Sequence, residues 1–278
     1  MTDELNKKYE ALKNYFTQLG SVAIAFSSGV DSTFMLKVAH DVLGDKAVAV
    51  TVRSHLFPVR EKTEAADFCK RQGIEHIFID SDEMKIPGFK ENPKDRCYIC
   101  KKSIFEEIIA VARERGLEYV CEGSNLDDNG DYRPGLKAIA ELGVKSPLRD
   151  CGLWKSEIRA ISKELGLATW KKPSFACLAS RFVYGEIITE EKLGMLEKSE
   201  QLLLDFGFVQ ERVRIHSFGT GETSGTIARI EVAPEDFTKL LEHREKIVTE
   251  FKALGFNYVS MDLQGYRSGS MNETLQIK

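Results

Sequence analysis

The stretch Phe26-Ser27-Ser28-Gly29-Val30-Asp31-Ser32 does most to limit what this chain can become. An apolar run, Val22-Ala23-Ile24-Ala25, precedes it. Apolar residues at Val30, Phe34, Val38 and Val42 follow it at helical spacing. The order reads as a buried strand, a tight Ser/Gly turn and an amphipathic helix. The helix N-terminus then directs its unbonded N–H groups at whatever fills the turn, which favours an anion and most often a phosphate. Ser27, Ser28 and Ser32 add hydroxyl donors, and Gly29 lets the backbone approach closely. Asp31 would repel a phosphate unless a cation lies between them, which implies Mg²⁺. The turn has no lysine, so it is not a Walker A loop. An ordinary strand-turn-helix without a ligand is the plain alternative.

The rest of the chain repeats the alternation. Leu5 to Leu19 reads as an amphipathic helix closed by Gly20, and Ala47 to Val52 as a second strand. Thr51 and Val52, at its carboxyl end, are placed to meet an adenine, since open α/β sheets bind ligands there. Pro58 to Gln72 reads as a helix stopped by Gly73, and Ile74 to Asp80 as a third strand. Ser81 to Asp95 is a polar loop leading to a helix from Arg96 to about Arg115. Tyr119 to Gly123 is a fourth strand that empties into Ser124-Asn125-Leu126-Asp127-Asp128, and Val144 to Leu148 a short fifth. Trp154 to Leu165 is a helix. The expected fold is α/β, a doubly wound parallel five-stranded sheet over residues 1–170. Residues 171–278 read as a smaller α+β domain. It has a helix at Glu190 to Phe206, paired strands at Arg212 to Phe218 and Thr226 to Ala233, a helix at Glu235 to Leu254 and a last strand at Tyr258 to Asp262.

A length of 278 residues and an apolar fraction of 42% suit one large or two modest domains. The net charge of −4 argues against a general nucleic-acid footprint. No apolar run spans a bilayer and the N-terminus has no signal-peptide pattern, so the expected location is the cytoplasm. Six cysteines there point to metal or catalytic use before disulfides. Cys97 and Cys100 form a C-x-x-C at a helix start, followed by Lys101 and Lys102. Cys177 lies in Pro173-Ser174-Phe175-Ala176-Cys177-Leu178-Ala179-Ser180-Arg181. Cys69 and Cys121 read as core residues, and Cys151 has no assignment. A lone C-x-x-C serves a redox pair, half a zinc site or part of an iron–sulfur site. Three thiolates would hold three irons of a [4Fe–4S] cluster and leave the fourth open.

The serine turn resembles the pyrophosphate loop, S-G-G-x-D-S, of the ATP pyrophosphatases, with Ser28 where a glycine is usual. More of the chain resembles the LarE family, ATP-dependent sulfur transferases of nickel-pincer nucleotide biosynthesis. The resemblance runs through Glu122-Gly123-Ser124-Asn125, Asp131-Tyr132-Arg133-Pro134-Gly135, Ser146-Pro147-Leu148, Lys155 to Arg159, Lys172 to Arg181, Arg212-Val213-Arg214, Ala228 to Glu231 and Gly265 to Ser270. It implies ATP as cosubstrate and pyridinium-3,5-biscarboxylic acid mononucleotide as substrate, whose carboxylates are adenylated and then converted to thiocarboxylates. Nucleotide and Mg²⁺ are expected at Ala25, Ser27, Gly29, Val30, Asp31 and Ser32, with Thr51, Val52, Gly123, Ser124, Asp127 and Arg133. Lys101 and Arg133 would offset phosphate charge. Ser180, Arg181, Arg212 and Arg214 are expected to bind the substrate, whose phosphate suits two guanidinium groups on one strand face. Cys97, Cys100 and Cys177 resemble the cluster-bearing type, supplied with sulfide. In the other type a single cysteine at the position of Cys177 gives up its own sulfur. The family suggests a homo-oligomer, trimers or a hexamer. A transfer-RNA thiolase is the nearest rival and predicts a basic surface. An amide-forming ligase and a zinc-binding relic are further alternatives.

Overall fold

The apolar run before the serine turn sits in the first of two units of this computed structural model, which describes residues 2–128 and 134–275. That unit comprises Met1–Glu83 and Cys97–Phe175, and the second Met84–Arg96 and Ala176–Lys278. Helix α1 (Asp3–Leu19) starts at Thr2, whose hydroxyl accepts the Leu5 N–H at 3.3 Å, and buries Leu12 and Phe16. β1 (Val22–Ala25), α2 (Val30–Leu43), β2 (Ala47–Arg53), α3 (Val59–Gln72) and β3 (His76–Asp80) follow. Gly73 ends α3 in the left-handed conformation at φ 68°, ψ 26°. α4 (Arg96–Glu114), β4 (Tyr119–Cys121), α5 (Pro134–Glu141), α6 (Pro147–Asp150) and α7 (Lys155–Glu164) complete the unit.

The sheet is parallel, in the order β3-β2-β1-β4. The period-two alternation of β1 puts its side chains into two cores. Val22 and Ile24 join Leu12, Phe16, Phe34, Phe68, Ile158 and Ile161, from α1, α2, α3 and α7. Ala23 joins Val50, Ile104, Phe105, Ile108, Val120 and Ile139, with α4 and α5. Helices therefore cover both faces, as a doubly wound fold requires. Among the described residues the sheet has four strands, not five. Lys145 makes a single parallel bridge to Cys121. Pro147 then has no N–H to give a ladder, and its fixed φ opens α6 instead.

In the second unit α8 (Glu190–Asp205) is followed by the antiparallel pair β5 (Glu211–Phe218) and β6 (Gly225–Val232). α9 (Phe237–Glu242), α10 (Arg244–Ala253) and β7 (Tyr258–Met261), parallel to β6, come last. The single helix expected over Glu235–Leu254 breaks at His243, whose φ is −92° and ψ 3° and whose ring stacks on Phe206 at 4.4 Å. Residues 84–96 belong here because Asn92 is buried and ties them in. Its Nδ2 donates to the Val183 carbonyl at 2.6 Å, its carbonyl accepts the Gly185 N–H at 2.9 Å, and Arg96 donates to its Oδ1.

Candidate active site

β1 leaves the sheet at Phe26, whose N–H still reaches the Val50 carbonyl at 2.8 Å. The chain then turns through Ser27 and Ser28 and enters α2 with Gly29 as its N-terminal cap. The first intrahelical bond runs from Thr33 N–H to Gly29 O at 2.9 Å, so the amides of Val30, Asp31 and Ser32 precede the helical ladder. The Ser27 and Ser32 hydroxyls lie 3.1 Å apart, and the Ser27 N–H donates to Ser32 Oγ at 3.3 Å. Two hydroxyls and three helix-end amides thus gather in one turn, a concentration of donors that suits a polyphosphate. The Ser28 hydroxyl is turned elsewhere. It lies 3.0 Å from the Glu61 carboxylate and 3.1 Å from the Glu61 carbonyl.

The loop after β4 runs alongside this turn. A Cβ on Gly123 would stand 3.3 Å from Asp31 Cβ and 3.4 Å from the Ser32 nitrogen, so glycine allows the two backbones to approach. Ser124 and Ser146 both donate to the buried Glu122 carboxylate, at 2.8 and 2.5 Å. Asn125 Nδ2 donates to Asp31 Oδ1 at 3.2 Å, and the Lys155 ammonium pairs with the other Asp31 oxygen. Burial raises the Asp31 carboxyl above the usual range, although Lys155 pulls the other way. Asp127 accepts the Lys155 N–H at 2.6 Å and so caps α7. Asp128 accepts the Asn125 N–H at 2.9 Å. These carboxylate oxygens beside a phosphate-type turn are the hard donors Mg²⁺ takes, so Asp31 and Asp127 fit such an ion. Lys155, placed by a contact 124 residues from Asp31, carries no local signal beyond its place in the resembling segment.

Thr51 is buried at the carboxyl end of β2. Its hydroxyl donates to the Phe26 carbonyl at 2.7 Å, so the contact with His76 Nε2 at 2.8 Å makes that nitrogen the donor. Burial lowers the His76 pKa to about 4. Val52 is half-buried beside it, as is Ala25 on β1. Lys101 lies on α4, where its stem fills the space a Gly135 side chain would need: a Cβ there would stand 2.6 Å from Lys101 Cδ. Arg133 lies outside the described residues.

Cys97 and Cys100 lie near the start of α4, three residues apart and therefore on one face. Both are half-buried, as is Cys177, which caps a short turn at Leu178–Arg181 in the second unit. Cys69 and Cys121 are core residues; burial pushes the Cys69 thiol up to about 12 and Cys121 further. Cys151 packs against the same core, and burial lifts its thiol to about 11. Among the described residues no three His, Cys, Asp or Glu side chains form a ready-made metal cage. Two thiols on one helical turn, with a third half-buried thiol in the chain, have the chemistry that iron–sulfur clusters take.

The second unit gathers the four expected substrate residues with two acids. The Arg181 guanidinium grips Glu200 through Nε and Nη2, both at 2.8 Å, and neither side chain is more than 1% exposed. Its Nη1 donates to the carbonyls of Ala176 and Cys177 at 2.8 and 3.2 Å and to Ser180 Oγ at 2.8 Å. Arg181 thus fixes the backbone that carries Cys177. Arg214 donates to Glu231 at 2.8 and 3.0 Å, to the Ser180 carbonyl at 3.1 Å and to Ser270 Oγ at 3.2 Å. Arg212 is buried over the Tyr266 ring at 5.3 Å. Burial first, and the Arg181 charge second, lower its pKa.

A strand, serine turn and helix at the carboxyl edge of a parallel sheet, with an acid at the second helix-end amide position, define a nucleotide-binding fold of the ATP pyrophosphatase class. No family model matches the chain. It is 41% identical to an uncharacterized protein of Synechocystis sp. over 98% of this chain and 99% of that protein. It is 36% identical to the pyridinium-3,5-bisthiocarboxylic acid mononucleotide synthase of Lactiplantibacillus plantarum over 92% of this chain and 91% of that enzyme. More distantly, it is 29% identical to the B component of the glutamine-hydrolyzing GMP synthase of Thermoplasma volcanium, over 64% of this chain and 61% of that component. The chain belongs to the family of the pyridinium-3,5-bisthiocarboxylic acid mononucleotide synthases. No helix among the described residues is long and apolar enough to cross a membrane.

Proposed function

We propose that the protein is a cytoplasmic, ATP-dependent sulfur transferase that turns the carboxylates of pyridinium-3,5-biscarboxylic acid mononucleotide into thiocarboxylates. The observation that carries the reading is the serine turn, with its helix-end amides and Asp31 side by side, in a chain related to that synthase along nearly its whole length. The amides of Val30, Asp31 and Ser32 and the hydroxyls of Ser27 and Ser32 hold the β- and γ-phosphates. Mg²⁺ held by Asp31 and Asp127 would neutralise phosphate charge. Ala25, Thr51 and Val52 line the adenine side, and Gly123 and Ser124 close the loop beside Asp31. A substrate carboxylate oxygen attacks the α-phosphorus, the bond to the β-phosphate oxygen breaks, and pyrophosphate takes the electron pair. Lys101 and Arg133 offset the charge that builds there. Ser180, Arg212 and Arg214 hold the substrate phosphate, and Arg181 fixes their setting.

Sulfide then attacks the acyl carbon and AMP leaves with the electrons of the acyl–oxygen bond. Cys97, Cys100 and Cys177 would hold a [4Fe–4S] cluster, which would supply that sulfide from outside the chain. A second round gives the bis-thiocarboxylate. The resemblance also favours a homo-oligomer, trimers or a hexamer. The test is anaerobic purification followed by iron and sulfide analysis with ultraviolet-visible and electron paramagnetic resonance spectra. About four irons per chain are expected, and Cys97→Ser should lose them. A colourless, active protein whose Cys177 loses the mass of hydrogen sulfide would establish the sacrificial route instead. Activity that survives Cys97→Ser with ammonia as acceptor would point to amide formation.

A further inference from the structure

Ser28 is one of two non-glycine residues with positive φ among the described residues, at 54°. A side chain in this left-handed region is strained. Glycine, usual at this place in the pyrophosphate loop, adopts it freely. Something must hold Ser28 there. Its hydroxyl lies 3.0 Å from Glu61 Oε2 and 3.1 Å from the Glu61 carbonyl, in the first turn of α3. The Lys172 ammonium sits on the same Glu61 oxygen at 2.7 Å, on Glu64 at 2.5 Å and on the Ser28 carbonyl at 3.2 Å. Lys172 and Glu61 are each only 12% exposed. The backbone under Lys172 is held in turn, because the Arg159 guanidinium donates to the carbonyls of Trp170 and Lys172 at 2.6 and 2.7 Å. Side chain and carbonyl of Ser28 are therefore gripped at once, from α3 on one side and from the segment after α7 on the other.

We infer that Glu61 and Lys172 are positioning residues of the nucleotide loop, which hold Ser28 in the left-handed conformation so that the amides after it stay aimed at the phosphates. The inference rests on the nucleotide reading proposed above. It assigns the Ser28 hydroxyl to the lock and not to the ligand, since the hydroxyl is committed to Glu61. It also carries a sign that charge alone would reverse. Removing the Glu61 carboxylate from the neighbourhood of a polyanion should tighten ATP by electrostatics. Losing the lock should loosen it.

The test is titration calorimetry of ATP with Mg²⁺ into the full-length protein and its variants. Ser28→Ala keeps the backbone penalty and removes the hydroxyl, so binding should weaken about ten-fold, the size of the penalty for a non-glycine residue in this region. Ser28→Gly needs no lock and should stay within about two-fold of wild type. Glu61→Ala should weaken ATP about ten-fold, and Ser28→Gly in the same chain should bring it back to within about three-fold. Equal weakening by Ser28→Ala and Ser28→Gly would overturn the inference, because the hydroxyl would then be touching phosphate. Unchanged or tighter binding by Glu61→Ala would overturn it too. Should Glu61→Ala fail to fold, the two Ser28 variants, which leave every charge in place, decide alone. Wild type that binds ATP but releases no pyrophosphate with the pyridinium dicarboxylate nucleotide would defeat the proposed function and leave the lock readable. Wild type that binds no ATP would defeat both.

Discussion

Removing the Glu200 carboxylate should destabilise the second unit severely. Glu200 and Arg181 form a two-point ion pair at 2.8 Å, each side chain no more than 1% exposed. Glu200 also accepts the Val213 N–H at 3.0 Å, tying α8 to β5. Burial alone would raise the Glu200 carboxyl; the Arg181 charge and hydrogen bonds, with Arg212 behind them, outweigh it and hold the group below its usual range. Glu200→Ala leaves a guanidinium buried without its counter-charge, a change that costs about 3–5 kcal/mol. For a chain of this size that lowers the melting temperature by roughly 10 °C. Replacing both partners by apolar residues of similar volume, Arg181→Met with Glu200→Leu, should recover part of the loss, because the desolvation of both charges is relieved together while the Val213 N–H and the Ala176 and Cys177 carbonyls lose their partners. The pH dependence follows from the direction of the shift. A depressed carboxyl contributes stability that is complete above its unfolded pKa and is lost as pH falls through its folded one. The gap between wild type and Glu200→Ala should therefore be full at neutral pH and shrink only in acid. Differential scanning calorimetry at neutral and acid pH measures all of this. A Glu200→Ala protein melting within about 2 °C of wild type, against the loss expected for a broken buried pair, would mean that the pair does not hold the second unit together. A double variant as unstable as the single one would mean that the unpaired buried charge is not the cause.

Other outcomes can be checked the same way. Asp31→Asn should abolish pyrophosphate release yet melt no lower than wild type, because burial already raises the Asp31 carboxyl and so penalises its ionised form in the folded state. Gly135→Ala should cut kcat roughly ten-fold with little change in melting temperature, since its new Cβ would displace Lys101. His76, neutral in the fold with a pKa of about 4, should cost stability as pH drops from its unfolded value toward 4. Denaturant melts of wild type and His76→Asn across that range should diverge in slope, and parallel curves would contradict the assignment.

The strand-turn-helix and the alternation that surrounds it are legible because periodicity is local. The fifth strand is not, since the short stretch Val144 to Leu148 takes its strand reading from the alternation around it, and Pro147 decides the outcome. At the break His243 stacks on Phe206, the residue that follows α8, a contact that no neighbouring residue announces. The same holds for the site. Ser27, Gly29 and Asp31 stand in a motif, but Lys155 reaches Asp31 across 124 residues and Lys172 reaches Glu61 across 111. Such pairings exist only once the chain has folded. Acidic partners for Arg181 and Arg214 are foreseeable, because buried arginines need counter-charges, but how each pair is wired needs coordinates. The one hint of the Ser28 lock is the serine itself, in a place where glycine is usual.

The short segment pinned by Asn92 gives the chain an unusual itinerary during synthesis. Its partner at Val183 is encoded 91 residues later. At roughly 5–20 residues per second, the ribosome releases residues 84–96 several seconds before anything exists for them to dock on. A fragment ended near residue 170 would present that segment, with the buried apolar side chains of Met84 and Phe89, to water. Cutting this protein into halves by trimming one end should therefore give sticky, poorly soluble pieces, and a separable second half would need residues 84–96 supplied from a relocated terminus.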